Sequence, residues 1–504
     1  MPDKSVLIYG LDDKPPLGRA CILAAQHVLT MFGATVSIPL LFGPAMGMSL
    51  PQTGVLISSV MLCSGLATLI QSTFGSRLPI IQGVSFSFIA AFFAIIGTVT
   101  GKPEQGGLGG DGSLVMRYIA GAIMVGAIVE IAIGFSGLMG WLRKMMSPVV
   151  VGPVIMLIGL ALYQHGAPKA GADWLTSGLT ILLIIVFSLV LSRRHRIFQL
   201  FPILLAIVVV VTLCWIFSVA GWYGESHPSH VNLEAARSAS WVRIRPDEIF
   251  FPWGWPKFHV GFIVAVFAGY LASMIESFGD YHACSNMAGA GDPTPRQISR
   301  GIGCEGVGCL ITGMLGGFAS TSYSENIGLV GLTKVGSRYV VQIGAAMLIG
   351  LGFFGKFGAL AAAIPGPVVG GLYCALFGLI SAVGIQQLAK CDLASDRNLF
   401  IAGFSLFMGL SVPAYFSTVE LAENISQGKS LAVYTPTSES LLSLLPDSVA
   451  GIVVSIGSTG MAVAALLGLL LDNLIPGTRQ ERGFAGPSLL VPEAGDLDQV
   501  PHSE

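Results

Sequence analysis

The sequence predicts an all-α polytopic membrane protein, with about fourteen transmembrane segments arranged as two inverted sets of seven. Three observations carry that prediction. Of 504 residues, 53% are hydrophobic and only 11% charged, against about 25% charged in soluble domains, so lipid must cover part of the apolar surface. About fourteen apolar stretches approach the roughly 20 residues that a membrane helix requires. The basic residues then collect in alternate connections, which orients the layout.

In chain order the segments lie near 20–43, 53–73, 79–99, 114–140, 148–164, 174–192, 200–222, 258–280, 302–318, 319–334, 339–356, 358–383, 398–416 and 448–471. The first is expected to be retained, because Met1-Pro-Asp-Lys4 and the residues after it lack a signal-peptide pattern. The third and tenth are the weakest as helices. Short connections carrying Arg77, Arg143, Lys144, Arg193, Arg194, Arg196, Arg296, Arg300, Lys334, Arg338, Lys390 and Arg397 fall on one side with Lys4, Lys14, Arg19, Arg479 and Arg482. The opposite side receives the Gly-rich stretch 100–113 and the longer loops 223–257 and 417–447, expected to be extracellular caps. Basic short loops mark the cytoplasm, so both termini are expected there, in the plasma (cell inner) membrane.

An odd-numbered repeat inserts its second copy upside down, making the third and tenth segments counterparts. Both contain a Ser-rich interruption, Gln82-Gly-Val-Ser-Phe-Ser-Phe88 and Ser320-Thr-Ser-Tyr-Ser-Glu-Asn326. Interruptions at corresponding positions point to a midplane binding site. Their alternating small and aromatic residues suit short extended segments that pair with each other and so satisfy backbone groups removed from helices.

Carboxylates mark the same place. Glu325 lies within the second interruption, and Glu276 within the eighth segment. An acid at bilayer depth costs several kcal/mol, roughly, unless it faces a polar cavity, a partner or a ligand. Asp280 follows Glu276 by one helical turn, on the same face, and the first segment, counterpart of the eighth, contains Gln26-His27. The expected constellation is Glu276, Asp280, His27 and Glu325, ringed by Ser85, Ser87, Ser324 and Asn326. Carboxylates and exposed amides suit a flat heterocycle with alternating N–H and C=O groups. Glu305, early in the ninth segment, reads as a relay residue or an interfacial acid, and Glu130 has no partner evident in sequence.

Other functions are disfavoured. A net charge of −2 offers no basic stripe for nucleic acid. No phosphate-binding loop, metal-ligand spacing or catalytic triad occurs, so no catalytic residues, metal or cofactor are expected beyond a coupling ion. The eight cysteines form no Cys-x-x-Cys pair and read as small buried residues.

The segment Glu325-Asn326-Ile-Gly328-Leu-Val-Gly-Leu-Thr333-Lys334 resembles the signature of the nucleobase–ascorbate transporter family (nucleobase:cation symporter 2). Gln26-His27 with Met31-Phe-Gly-Ala-Thr35, Gly83-Val-Ser-Phe-Ser-Phe88, Glu276-Ser-Phe-Gly-Asp-Tyr281, and Gly355-Lys-Phe-Gly-Ala-Leu360 with Ile364-Pro365 extend the resemblance across 18–485. It implies that Glu276 and Glu325 bind the base, with amides near Phe86 and Ser324 and the Phe86 ring completing the contacts. His27 and Asp280, with Gln26 and Glu305, would serve orientation and proton coupling. It further implies a core domain (20–140 and 258–356) moving as an elevator against a gate domain (141–257 and 357–471), between cytoplasmic tails 1–19 and 472–504, in a homodimer formed through the gate.

Two departures bear on substrate. Asp280 stands where bacterial uracil carriers resemble one another in having His, and Glu325 stands where animal ascorbate carriers have Pro. The loop residues Ser240-Trp-Val-Arg-Ile-Arg245 and Trp253-Gly-Trp-Pro256 nevertheless resemble the ascorbate and plant branches. The expected activity is proton symport of a nucleobase, of the xanthine/uric acid or uracil class. The alternatives are a sodium-coupled ascorbate carrier, which Glu325 disfavours by charge, and an anion exchanger of the same architecture, which the short C-terminal tail disfavours.

Overall fold

Apolar segments this long must satisfy their backbone internally, and they do so almost entirely as helices. The computed structural model describes residues 7–101, 108–140, 147–161, 163–427, 453, 456–457 and 459–484. Lys4, Arg143, Lys144, most of the 417–447 loop, the start of the fourteenth segment and the tail beyond 484 lie outside them.

The first half contains α1 (Leu17–Ala45), α2 (Leu50–Thr73), β1 (Gln82–Val84), α3 (Ile89–Thr100, entered through a 3-10 turn at Phe86–Phe88), α4 (Gly112–Ser136), α5 (Pro148–Ala161), α6 (Tyr163–Gly171), α7 (Trp174–Ile185), α8 (Arg196–Leu200) and α9 (Pro202–Val219). Two short helices follow, α10 (Glu234–Ser238) and α11 (Pro246–Ile249). The second half contains α12 (Val260–Met287), α13 (Pro295–Met314), β2 (Ser320–Ser322), α14 (Ser324–Thr333), α15 (Arg338–Phe353), α16 (Gly355–Ala362), α17 (Gly366–Leu388), α18 (Asp396–Gln427) and α19 (Gly460–Leu474).

Among the described residues, eight helices are long and apolar enough to cross a membrane, including α7 extended to Arg193. Four shorter apolar helices cover 86–100, 148–160, 338–353 and 460–474. Each predicted segment overlaps a helix. The twelfth differs most: it is expected from 358, but α16 ends at Ala362 and α17 starts at Gly366, because Pro365 disfavours helical backbone at Ile364.

The helices pack as two groups. In one, α4 lies along α13 and α12, and α2 along α15, α16 and α13, with α1 against α15. In the other, α17 packs on α5, α6 and α7, and α5 on α18 and α19. Close approach within the groups relies on missing side chains: a Cβ on Gly134 would collide with the Gly303 backbone, and one on Gly384 with Met156.

The loop 223–257, expected to cap the gate, is divided between the groups. Ser229 donates to Asp173 and lies 3.0 Å from Thr176 at the start of α7. Further on, the buried Arg243 donates to the Val55 carbonyl (3.3 Å) and to Ser59 (3.4 Å) on α2, while the Arg243 amide donates to Phe353. Trp253 Nε1 donates to the Gly316 carbonyl (2.9 Å) and Arg117 Nε of α4 to the Trp255 carbonyl (2.8 Å). Residues 240–257 are therefore bound to the helices of the first group.

Candidate functional site

The two Ser-rich interruptions pair with each other. β1 and β2 run antiparallel with Gln82 opposite Ser322, Gly83 opposite Thr321 and Val84 opposite Ser320. The pairing extends at both ends, where the Ser85 amide donates to Ala319 (2.9 Å) and the Tyr323 amide to Ile81 (3.0 Å). Gly83 is required here because a Cβ would collide with the Tyr323 ring, whose hydroxyl donates to the Val84 carbonyl at 3.1 Å and accepts from Thr35 at 3.2 Å.

Each strand ends where a helix begins, so two helix N-termini meet at the crossing and present partial positive charge there. The amides of Phe86 and Ser324 stand at the first positions of these helices and have no acceptor among the described residues. Glu325 is on the first turn of α14 and, with Ser324, reaches accessible surface; Glu276 and Phe86 are half-buried. Glu276 lies beside Ser87 and within electrostatic range of Asp280 and Glu325. The structure thus brings Glu276 and Asp280 of α12, Ser324 and Glu325 of α14 and Ser87 of the β1–α3 turn together at the strand crossing.

Asp280 is buried and is held by hydroxyls. Its Oδ2 accepts from Ser322 at 2.6 Å and its Oδ1 from Ser324 at 2.8 Å. Asn326 and His27 are also buried. The Asn326 side-chain amide donates to the His27 carbonyl at 2.9 Å and lies 3.2 Å from Nδ1, which ties α14 to α1. Ser85 is buried and caps its own turn by accepting from the Ser87 amide at 3.3 Å. Gln26, adjacent to His27, lines a cleft of about 600 Å³ with Arg19, Arg196 and Phe201, and its Oε1 is buried without a hydrogen-bond partner among the described residues.

Glu305 is buried inside the first group, not at an interface with water. Its Oε1 accepts from Ser277 (2.8 Å) and Ser273 (3.2 Å), and its Oε2 from the Tyr281 hydroxyl (2.9 Å), which in turn accepts from Gln71 (2.6 Å). Glu130 of α4 is close enough to interact with Glu305, and neither of its oxygens has a hydrogen-bond partner among the described residues. Ser273, Ser277 and Tyr281 were not singled out from sequence. Their spacing of four along α12 is the available signal, since it places all three on one helical face.

Residues 18–418 match the permease family model labelled Xan_ur_permease. Solute carrier family 23 member 1 from Rattus norvegicus is 37% identical over 95% of this chain and 82% of its own length. Both spans exceed what a shared motif alone would produce. The chain belongs to the nucleobase–ascorbate transporter family. Nucleobase-ascorbate transporter 11 from Arabidopsis thaliana is 34% identical, covering 96% of this chain and 71% of that protein. The protein is therefore a multi-pass membrane transporter of this family and not an enzyme. Among solved structures, the transmembrane domain of the cyanobacterial bicarbonate transporter BicA superposes with a TM-score of 0.53 at 14% identity, over 78% of this chain and 95% of that one. Murine SLC26A9 in an inward-facing state superposes with a TM-score of 0.55 at 10% identity, over 79% of this chain and 65% of that one. At such identities the likeness is one of fold.

Proposed function

We propose that this transporter imports a nucleobase of the xanthine/uric acid or uracil class by proton symport. The observation that carries this reading is the convergence of Glu276 and Glu325 with the unpaired amides of Phe86 and Ser324 at one strand crossing. The carboxylates accept from ring N–H groups and the amides donate to ring carbonyls. The half-buried Phe86 ring offers a stacking surface to a planar ligand. Asp280 and the His27–Asn326 pair position these groups rather than touching the base.

The two packed groups of helices support an elevator-type cycle, in which the group built from α1–α4 and α12–α16 carries the site past the other. In this reading the segments make fourteen crossings as a 7+7 inverted repeat, both termini lie in the cytoplasm, and the second group forms a homodimer contact in the plasma membrane.

The test is thermal stabilisation of the purified full chain by uracil, xanthine, uric acid, guanine, adenine and ascorbate, at pH 5.5 and 7.5, with and without Na⁺. A ligand that binds the folded state alone raises apparent stability by mass action. Stabilisation by one nucleobase, independent of Na⁺, supports the proposal. Na⁺-dependent stabilisation by ascorbate and by no base overturns it in favour of sodium-coupled ascorbate transport.

A further inference from the structure

A continuous chain of hydroxyl contacts runs beneath the site. Asp280 Oδ2 accepts from Ser322 Oγ at 2.6 Å, Ser322 Oγ lies 3.0 Å from Ser277 Oγ, and Ser277 Oγ donates to Glu305 Oε1 at 2.8 Å. All four side chains are buried, and they come from α12, β2 and α13. We propose that Ser322 and Ser277 form a relay through which Asp280 and Glu305 share a single proton. This inference rests on the proton-symport reading above.

The chemistry follows from the hydrogen count. A serine hydroxyl carries one hydrogen and two lone pairs. With both acids ionised, each serine donates to its own carboxylate, and no hydrogen remains for the contact between Ser322 and Ser277. One added proton completes the chain. When it resides on Asp280, the Asp280 hydroxyl donates to Ser322, Ser322 to Ser277 and Ser277 to Glu305. Moving three hydrogens one place along breaks the Asp280 O–H bond and forms one on Glu305, with every donor direction reversed. No atom is gained or lost, and one negative charge passes from Glu305 to Asp280.

The two ends face different surroundings. Asp280 also accepts from Ser324, which reaches accessible surface, so its end borders the proposed base site. Glu276 faces it along α12, Glu325 from α14, and Lys390 at the end of α17 from the opposite group. Glu305 faces Tyr281 and Ser273 on α12 and the unpartnered Glu130 on α4. Thr321 Oγ1, 3.1 Å from Ser277, is a side branch. Charge gained or lost at the substrate acids thereby biases where the shared proton resides.

The test compares wild type, Ser277→Ala and Ser277→Thr in proteoliposomes, using the nucleobase that stabilises the wild type. Three readouts are taken: ligand stabilisation, counterflow exchange without a pH gradient, and accumulation driven by an inward proton gradient. The relay predicts that Ser277→Ala keeps stabilisation and counterflow but loses gradient-driven accumulation by at least about tenfold, and that Ser277→Thr restores it. Wild-type accumulation and pH profile in Ser277→Ala overturn the relay alone. Loss of all three readouts in Ser277→Ala without rescue by Thr also overturns it, by assigning the serine a packing role. A wild type that ignores the proton gradient while binding its base overturns the symport reading, and the relay with it.

Discussion

Asn326 spends its side-chain amide on His27, donating to the backbone carbonyl at 2.9 Å and standing 3.2 Å from Nδ1. The contact joins the first turn of α14 to α1, between residues 299 positions apart in sequence. With the amide donating, Nδ1 accepts and the ring proton occupies Nε2.

Replacing Asn326 by Ala removes this tie inside the protein, where an unmade bond to a buried group costs about 1–3 kcal/mol. Asn326→Ala is expected to lower the melting temperature and weaken nucleobase binding together, because α14 carries Ser324 and Glu325. Paired melting curves with and without ligand check both effects.

Gly83 admits no side chain against Tyr323. Gly83→Val is expected to push the ring away, break its bonds to Val84 and Thr35, and disturb the β1–β2 pairing. Forced overpacking costs about 1–3 kcal/mol, and the ligand-induced melting shift should disappear. Ser277→Ala, which is expected to keep that shift, separates this prediction from general damage.

Asp472 is enclosed by two guanidinium groups, with Arg397 Nη2 at 2.9 Å and Arg482 Nη2 at 2.6 Å, and its side chain is 0% exposed. Removing one member of a buried ion pair costs about 3–5 kcal/mol through the charges left behind. Asp472→Ala is expected to destabilise the packing of α18 against α19 by that order in thermal unfolding. Base selectivity should remain unchanged, since Arg397 and Asp472 belong to the second group of helices and, among the described residues, make no hydrogen bond to the strand crossing.

Arg243 anchors residues 240–257 on α2. Arg243→Gln should free that stretch for local opening at a cost of about 1–3 kcal/mol, visible as faster amide hydrogen exchange at 240–257 while exchange at 223–231 is unchanged. Equal protection in both variants would show that Trp253 and Arg117 suffice to hold the loop.

Local chemistry explains which features were legible in sequence. The interruptions at 82–88 and 320–326 break helical patterning, and their small residues fit a strand crossing, so the pairing of the two was predictable. Glu276 and Asp280 share a helix face, so their proximity followed from spacing alone. Asn326 was expected to face the ligand but turns to His27, because a side chain on an N-terminal turn can reach either way and its partner lies 299 positions away in sequence. Arg243, and the Asp472 cluster, likewise depend on long-range partners that no local pattern specifies. Ser273 and Ser277 gave a weak signal because serines in apolar helices commonly bond to their own preceding turn.

The most direct test of the central claim is uptake by Glu276→Gln, at matched surface expression, of the nucleobase that stabilises the wild type. The substitution keeps shape but removes the carboxylate that accepts ring N–H bonds. The account predicts that uptake falls by at least about tenfold, with the ligand-induced melting shift reduced in parallel. Uptake and stabilisation near wild type would contradict the placement of the base at Glu276.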